Sequence, residues 1–588
     1  MFDSQFLIAV LVLALLIALV VFHIRPLLAF AGVGAALFIT GAVEQTVYLD
    51  GFTNSSLMTL MVLIICSFAV EKTYHVRHLG ASLFNGKFVP NYVKLLVVSS
   101  FTSAFSNNTA VVATLMGCIK KNLPSNASKY LLPLSYASIL GGTLTLVGTS
   151  TNLIVSGFAQ EAGLVPLSML TTTPVAIVVV GICLVCLLCC IPLLPSSKTQ
   201  EQHRENTSYF IEAQVLAVAN DQSLVGKTVF ENGLRDLGSL YLSEIIREGG
   251  VITPVLPNEV LQSNDRLMFS GDINALETLQ QFKGLKTVGA VSEQDAHISQ
   301  TVEAILVADS VVVGKTIKQV KFRSLFDASV IGIRRGNQKL SGGLGNTVLQ
   351  AGDMLLLAIG NDFKDRNNLK RNFVFLDGAD FGNHSGEQQT LSKAQSRWVL
   401  GGFVAVIGLS AIGLLPLLKG LLILLGAYVI TGILNVQYVR RRIPFEIIVI
   451  VGSALALAHA MQTSGLADTV SGSLLTLTNG YGVYGAFIGV FLATLLLTEL
   501  ITNNAAAAII FPIALATAQQ YGADPMPFVM AVAFGASASF LSPFGYQTNL
   551  MVYSAGNYSI KDYVKLGLPL SIVYSITALV MIPVVYPF

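Results

Sequence analysis

Two short polar stretches lie inside apolar runs, and they hold the side chains best suited to binding chemistry. Ser106-Asn107-Asn108-Thr109 interrupts the run from Tyr92 to Ile119, and Thr502-Asn503-Asn504 interrupts the run from Tyr481 to Thr517. Hydroxyls and carboxamides at membrane depth are costly unless a ligand, water or backbone satisfies them. A helical hairpin with its tip at such a point ends one half-helix in free carbonyls and begins the next with free amides. The carbonyls, with Ser, Thr and Asn oxygens, can replace the water around a Na⁺ ion. The amides and the positive end of the helix dipole can hold an anion. None of these groups carries a fixed charge, so the site suits a cation that brings an anion with it.

Each tip is succeeded by a second polar break. The first is Gly148-Thr149-Ser150-Thr151-Asn152 and the second runs from Ser542 to Asn549. Asn108 and Asn152 are 44 residues apart, and Asn504 and Asn549 are 45 apart, which pairs the two halves of the chain. In that register Glu499 stands opposite Ser103. It is the one acid of the hairpins and breaks, and reads either as a carboxylate held by backbone amides or as a cation or proton ligand. No nucleophile–base pair and no metal-ligand spacing suggests an enzyme. The six cysteines lie in apolar stretches and read as small apolar side chains.

The elements that must position these residues are membrane spans. The chain has 588 residues, 53% hydrophobic and 12% charged, with a net charge of +2, so no bias towards nucleic acid results. Apolar runs at about 4–22, 26–43 and 54–71 precede the first hairpin, and the broken run 130–157 and the run 167–194 come after it. The second half repeats this order at about 398–416, 419–437, 443–462, 481–517, 526–556 and 563–586. The expected architecture is a polytopic α-helical membrane protein: inverted repeats, each of five spans plus one re-entrant hairpin, at 1–195 and 396–588. Arg25, Lys120, Lys121 and Arg440 to Arg442 fall on the side shared with the central segment, which places that segment in the cytoplasm and the protein in the inner or plasma membrane.

The segment 196–397 holds 44 of the 68 charged residues. It is a duplication with an offset of 88: Gly226-Lys227-Thr228 recurs as Gly314-Lys315-Thr316, and Leu261 to Asp265 recurs as Leu349 to Asp353. β-Branched runs alternate with a helix-like stretch in each copy, so two α+β domains are expected at 207–285 and 296–370. The Gly-Lys-Thr triplets lack the earlier glycine of a phosphate loop, and read as turns with Thr as the cap of a helix beginning there.

The tip Ser106 to Thr109, the break Gly141 to Asn152 and their second-half partners resemble the divalent anion:sodium symporter (DASS) family across both membrane halves. The central copies resemble TrkA-C domains, as in the sulfate-permease-like branch. That resemblance implies a first sodium site at Thr102, Ser106, Asn107 and the Gly148 carbonyl, and a second at Thr498, Thr502, Asn503 and the Gly545 carbonyl. It places the anion between Asn107, Asn108, Asn503 and Asn504, with Thr149 and Tyr546 nearby. It further implies Na⁺-coupled symport of a small inorganic or carboxylate anion, a homodimer, an elevator-like movement and regulation by the central domains, with a nucleotide as one candidate ligand of these. Dicarboxylate members of the family often have Ser-Asn-Thr tips and Thr-Pro-Pro-Asn breaks. This chain has neither at the corresponding points, which favours sulfate or a related oxyanion.

Overall fold

A computed structural model describes the chain except residues 1–3, 23, 74–86, 124–125, 196–209, 218–223, 235–236, 238–239, 249, 254, 272–275, 292–300, 309, 341–343, 361, 367, 377–390, 444 and 478–479. The first half is helical: α1 (Ser4–Val20), α2 (Pro26–Ile39), α3 (Gln45–Thr53), α4 (Ser55–Glu71), α5 (Phe88–Ser103), α6 (Asn108–Asn122), α7 (Ala127–Gly142), α8 (Ser150–Glu161) and α9 (Thr173–Cys189). The polar tip separates α5 from α6, and the first break separates α7 from α8.

Two sheets of identical topology come next in the chain. Lobe 1 has β1 (Phe210–Val215), β2 (Leu240–Arg247), β3 (Gly250–Ile252), β4 (Arg266–Gly271), α10 (Leu276–Gln280) and β5 (Leu285–Val291), in the order β3-β2-β4-β1-β5. Lobe 2 has β6 (Thr301–Leu306), α11 (Phe322–Phe326), β7 (Ala328–Arg335), β8 (Gln338–Leu340), β9 (Met354–Ile359), α12 (Leu369–Asn372) and β10 (Phe373–Phe375), in the order β10-β6-β9-β7-β8. The last strand of each sheet carries the lobes past the expected limits of 285 and 370, to Val291 and Phe375. A closing strand far along the chain pairs with the first one, and hydrophobicity alone does not announce such pairing.

The duplication extends to individual bonds. Arg247 grips Asp265 with both arms of its guanidinium, at 2.9 Å each, and Arg335 grips Asp353 at 2.7 and 2.8 Å. Both aspartates also accept a backbone amide, from Gln262 and Gln350, at 2.8 Å. The hydrogen bonds to the aspartates raise both arginines above their ordinary values. Asp265 and Asp353 are almost fully buried, so removing Asp353 leaves Arg335, among the described residues, with only the Val348 carbonyl, and removing Asp265 leaves Arg247 with Glu259 and the Val260 carbonyl. Asp353→Ala is expected to destabilise lobe 2 by about 3 kcal/mol, read as a lower unfolding temperature, with Asp265→Ala doing the same to lobe 1. Thr228 and Thr316 do act as caps, exchanging bonds with Glu231 and Gln319, but each caps a turn rather than a helix. The glycines Gly226 and Gly314, two residues before them, take φ of +83° and +82°, which only glycine adopts readily.

The lobes pack sheet to sheet through Met268, Ile331 and Ala358, with Ile246 and Leu356 alongside. Glu244 lies directly across the ladder from Met268 and therefore shares that face. It is fully buried and neither carboxylate oxygen has a partner. The charged groups on the same face of the sheet, among the described residues, are Glu212 and Arg266, which pair with each other at 2.5 Å, and the exposed Lys286 opposite Gln214. Burial pushes the Glu244 carboxyl up to about 7. The folded lobes therefore favour the protonated form. The stability that this carboxyl contributes is fully present below about 4.5, its ordinary value, and is lost as pH rises through 7. Thermal unfolding between pH 5 and 8 should show this loss of about 2 kcal/mol after allowance for solvent screening, and Glu244→Gln should flatten it.

Lobe 2 sits on the membrane helices. Its Glu303 pairs with Lys120 at the end of α6, at 3.3 Å, and Arg25 donates to the carbonyls of Ser310 and Val313.

The second half comprises α13 (Lys393–Ala411), α14 (Leu417–Ile430), α15 (Val436–Arg442), α16 (Phe445–Thr463), α17 (Leu466–Leu477), α18 (Gly482–Leu500), α19 (Asn503–Tyr521), α20 (Pro525–Ser537), α21 (Gln547–Ala555) and α22 (Ile560–Val585). Hydropathy does not separate the short helices α3, α15 and α17 from their neighbours, since each is polar or abuts a longer apolar run. Packing is exchanged between the halves: α2 lies against α16, and α4 against α14. The hairpins are exchanged too, with α19 against α8 and α6 against α21. Among the described residues, Gln45–Val70, α16, α18 and α22 are long and apolar enough to cross a membrane. Further apolar helices, α1, α2, α9, α14 and α20, are shorter.

Candidate functional site

The two tips and the two breaks meet between the halves. Asn107 caps α6, its carboxamide oxygen accepting the Thr109 amide at 2.9 Å, and its side chain is exposed. Asn108, one residue on, is buried. Its oxygen accepts the Ser103 hydroxyl, which also contacts Ser138 at 2.9 Å. Its nitrogen donates across the molecule to the Tyr546 hydroxyl at 2.5 Å.

The second tip repeats this with Thr502 as the exposed cap of α19 and Asn503 as the buried carboxamide. Thr498 lies 2.8 Å from the Asn503 oxygen and 2.8 Å from the Ala536 carbonyl. The hydrogen bonds thus pair Asn108 with Asn503, and Ser103 with Thr498. The register expected from sequence is corrected by one residue at the tip: Asn107 matches Thr502 and not Asn503. The reason is local, for α5 ends at Ser103 whereas α18 runs on to Leu500, so unequal lengths of non-helical chain connect the half-helices.

The breaks agree with the corrected pairing. Thr145 donates to the Ala104 carbonyl at 2.5 Å and accepts the Gly148 amide. Ser542 stands 3.5 Å from the Glu499 carbonyl and accepts the Gly545 amide. Glu499 is therefore the counterpart of Ala104, not of Ser103. Asn152 and Asn549 tie each break shut by donating back to the carbonyls of Thr145 and Ser542. Across the midline the contacts are reciprocal: Thr109 meets Gln547 at 3.3 Å, and Asn504 meets Ser150 at 3.3 Å. Both breaks press closely on their neighbours. A Cβ on Gly142 would meet the Asn108 carboxamide at 2.8 Å, and one on Gly545 would meet the Ser539 hydroxyl at 2.2 Å.

Of the expected cation ligands, Thr498, Asn503 and Gly545 are brought together at the second tip, while Thr502 caps α19 with its side chain exposed. At the first, Asn107 and Gly148 lie at the tip and break, but Thr102 does not join them. Its hydroxyl is spent on the Val98 carbonyl of its own helix, at 2.7 Å. Ser103 takes the inward position instead, and Ser106 is only half-buried in the connecting turn. The available signal was a hydroxyl five residues ahead of an Asn in both hairpins, Ser103–Asn108 and Thr498–Asn503. Thr149 and Tyr546 cap α8 and α21 at equivalent points and face each other through the Tyr546 hydroxyl.

The open valences are concentrated at the second tip. Thr498 has one hydroxyl hydrogen and two acceptors, so the Asn503 carboxamide either accepts it or, turned over, donates to Thr498. In either orientation one end of this buried carboxamide has no partner. The Ser539 hydroxyl and one oxygen of Glu499 are likewise buried without partners, while the other Glu499 oxygen accepts the amides of Phe540 and Leu541 at 2.8 Å. A hydroxyl and a carboxylate oxygen with unused lone pairs fit a monovalent hard cation, and a free amide donor fits an anion.

A family model described as citrate transporter, CitMHS, matches residues 8–533 and 485–588. The chain belongs to this citrate transporter family. It is therefore an integral membrane transporter, and the apolar helices are its membrane part. A putative sulfur deprivation response regulator of Chlamydomonas reinhardtii is 30% identical over 93% of the chain and 95% of its own length. An uncharacterized transporter of Synechocystis is 29% identical over 94% of the chain and 92% of its own. Sodium/sulfate cotransporter 1 of Chlamydomonas reinhardtii is 30% identical over 61% of the chain and 42% of its own. The CitMHS membership thus covers both membrane halves, and the tips and breaks lie within the matched residues.

Proposed function

We propose that this CitMHS member is a secondary transporter coupling Na⁺ to the uptake of sulfate or a related divalent oxyanion. The observation that carries this reading is the reciprocal set of contacts between tips and breaks, with a buried carboxamide left open at their junction. Carboxamides, hydroxyls and carbonyls without fixed charge can hold a cation and its anion together and release both. The resemblance to relatives named sodium/sulfate cotransporters favours sodium as the coupled ion and sulfate as the passenger.

On the corrected register we read the cation ligands as Ser103, Asn108 and the Gly148 carbonyl in one half, and Thr498, Asn503 and the Gly545 carbonyl in the other, with Asn107 and Thr502 as exposed helix caps beside them. Asn108, Asn503, Asn504, Thr149 and Tyr546 border the anion. The exchanged packing of the halves supports inverted repeats with elevator-like movement of the hairpins, and the two lobes are TrkA-C-like regulators on the cytoplasmic side of a homodimer.

Purified protein in liposomes decides the matter. Labelled sulfate should accumulate when an inward sodium gradient is imposed and not when potassium replaces sodium. Preference for succinate or citrate would instead assign a carboxylate symporter, and unitary current steps would assign a channel.

A further inference from the structure

The tip carboxamides are equivalent in position but not in state. Asn108 has both ends engaged, one by Ser103 and the other by Tyr546 from the opposite half. Asn503 has one end engaged and the other open. The difference goes with the residues that cap α8 and α21. Tyr546 reaches Asn108, whereas the hydroxyl of Thr149, at the equivalent point of the first break, is engaged with Tyr546 and Thr151 instead of Asn503.

A passenger with two separated anionic groups could place one against each carboxamide. With the Tyr546 phenol standing on Asn108, only the Asn503 end remains. We infer that Tyr546 is the specificity-determining residue of this site, its ring occupying the position a second anionic group would take and restricting the passenger to a single-centred oxyanion. The inference rests on the transport reading above. It assigns the restriction to one side chain and to volume rather than to charge.

The experiment compares wild type, Tyr546→Phe and Tyr546→Thr in liposomes, measuring inhibition of labelled sulfate uptake by succinate. Thermal unfolding in detergent with sulfate or succinate, in sodium, gives a second readout that needs no transport. Tyr546→Thr installs the residue that the first break already carries at this point. Succinate should compete poorly in wild type and in Tyr546→Phe, which keeps the ring. Its competition should improve by at least about tenfold in Tyr546→Thr, with succinate now raising the unfolding temperature. Exclusion of succinate by both variants, admission by both, or equal acceptance of succinate and sulfate by wild type would each overturn the inference. Absence of sodium-driven uptake of either anion by wild type would instead count against the transport reading.

Discussion

Asn503→Ala is expected to cut sodium-stimulated sulfate uptake by about two orders of magnitude, and Asn108→Ala by a similar factor, while Asn107→Ala transports nearly as wild type. Each buried carboxamide is a hub. Removing Asn108 strands Ser103 and Tyr546, and removing Asn503 deprives Thr498 of a partner and deletes the open group. Two such interactions at about 1–1.5 kcal/mol each correspond to roughly 30- to 160-fold in binding. Asn107 does only the work of a helix cap, worth about 1 kcal/mol of stability. The measurement is initial uptake against sodium concentration at matched protein in the liposomes. Wild-type behaviour of Asn503→Ala would remove the second tip from the site, and a deeper loss in Asn107→Ala than in Asn108→Ala would return the first tip to the register expected from sequence.

Glu499 offers the second large effect. One carboxylate oxygen accepts two backbone amides, those of Phe540 and Leu541, just where α20 has ended and its chain needs acceptors. The other oxygen is buried without a partner beside the second tip. Glu499→Ala strands both amides and should cost about 2–4 kcal/mol, seen as a lower unfolding temperature and little functional protein. Glu499→Gln keeps an oxygen for the amides and removes the charge. It should regain most of the stability yet need about tenfold more sodium for half-maximal uptake, a loss of about 1.4 kcal/mol. Unchanged sodium dependence in Glu499→Gln would make the carboxylate a structural brace. Ala104, the equivalent residue of the first half, predicts that the two cation positions differ in affinity, which a two-component sodium titration would reveal.

The lobes add a positional constraint. The Ser554 hydroxyl of α21 donates to the Gly352 carbonyl and accepts the Gly336 amide of lobe 2. Both glycines have positive φ, and a Cβ on either would strike Tyr553 or Leu550 of α21. The helix so held begins at Gln547, directly after Tyr546.

Residue types and their spacing were enough to locate the parts. Short polar stretches in apolar runs marked both tips, because hydroxyls and carboxamides at that depth are costly unless something satisfies them. Clustered charge and an offset of 88 marked the lobes, because repeated residues fold into repeated bonds, as the Arg247–Asp265 and Arg335–Asp353 pairs show. Packing in three dimensions chose which carboxamide in each tip turns inward and which hydroxyl serves it. It also brought a phenol from one half to an amide in the other. Those outcomes depend on the residue at which α5 stops and on how α6 and α21 meet. Hydropathy has no resolution at the level of one residue, and spacing along a chain carries no information about what approaches from across the bundle.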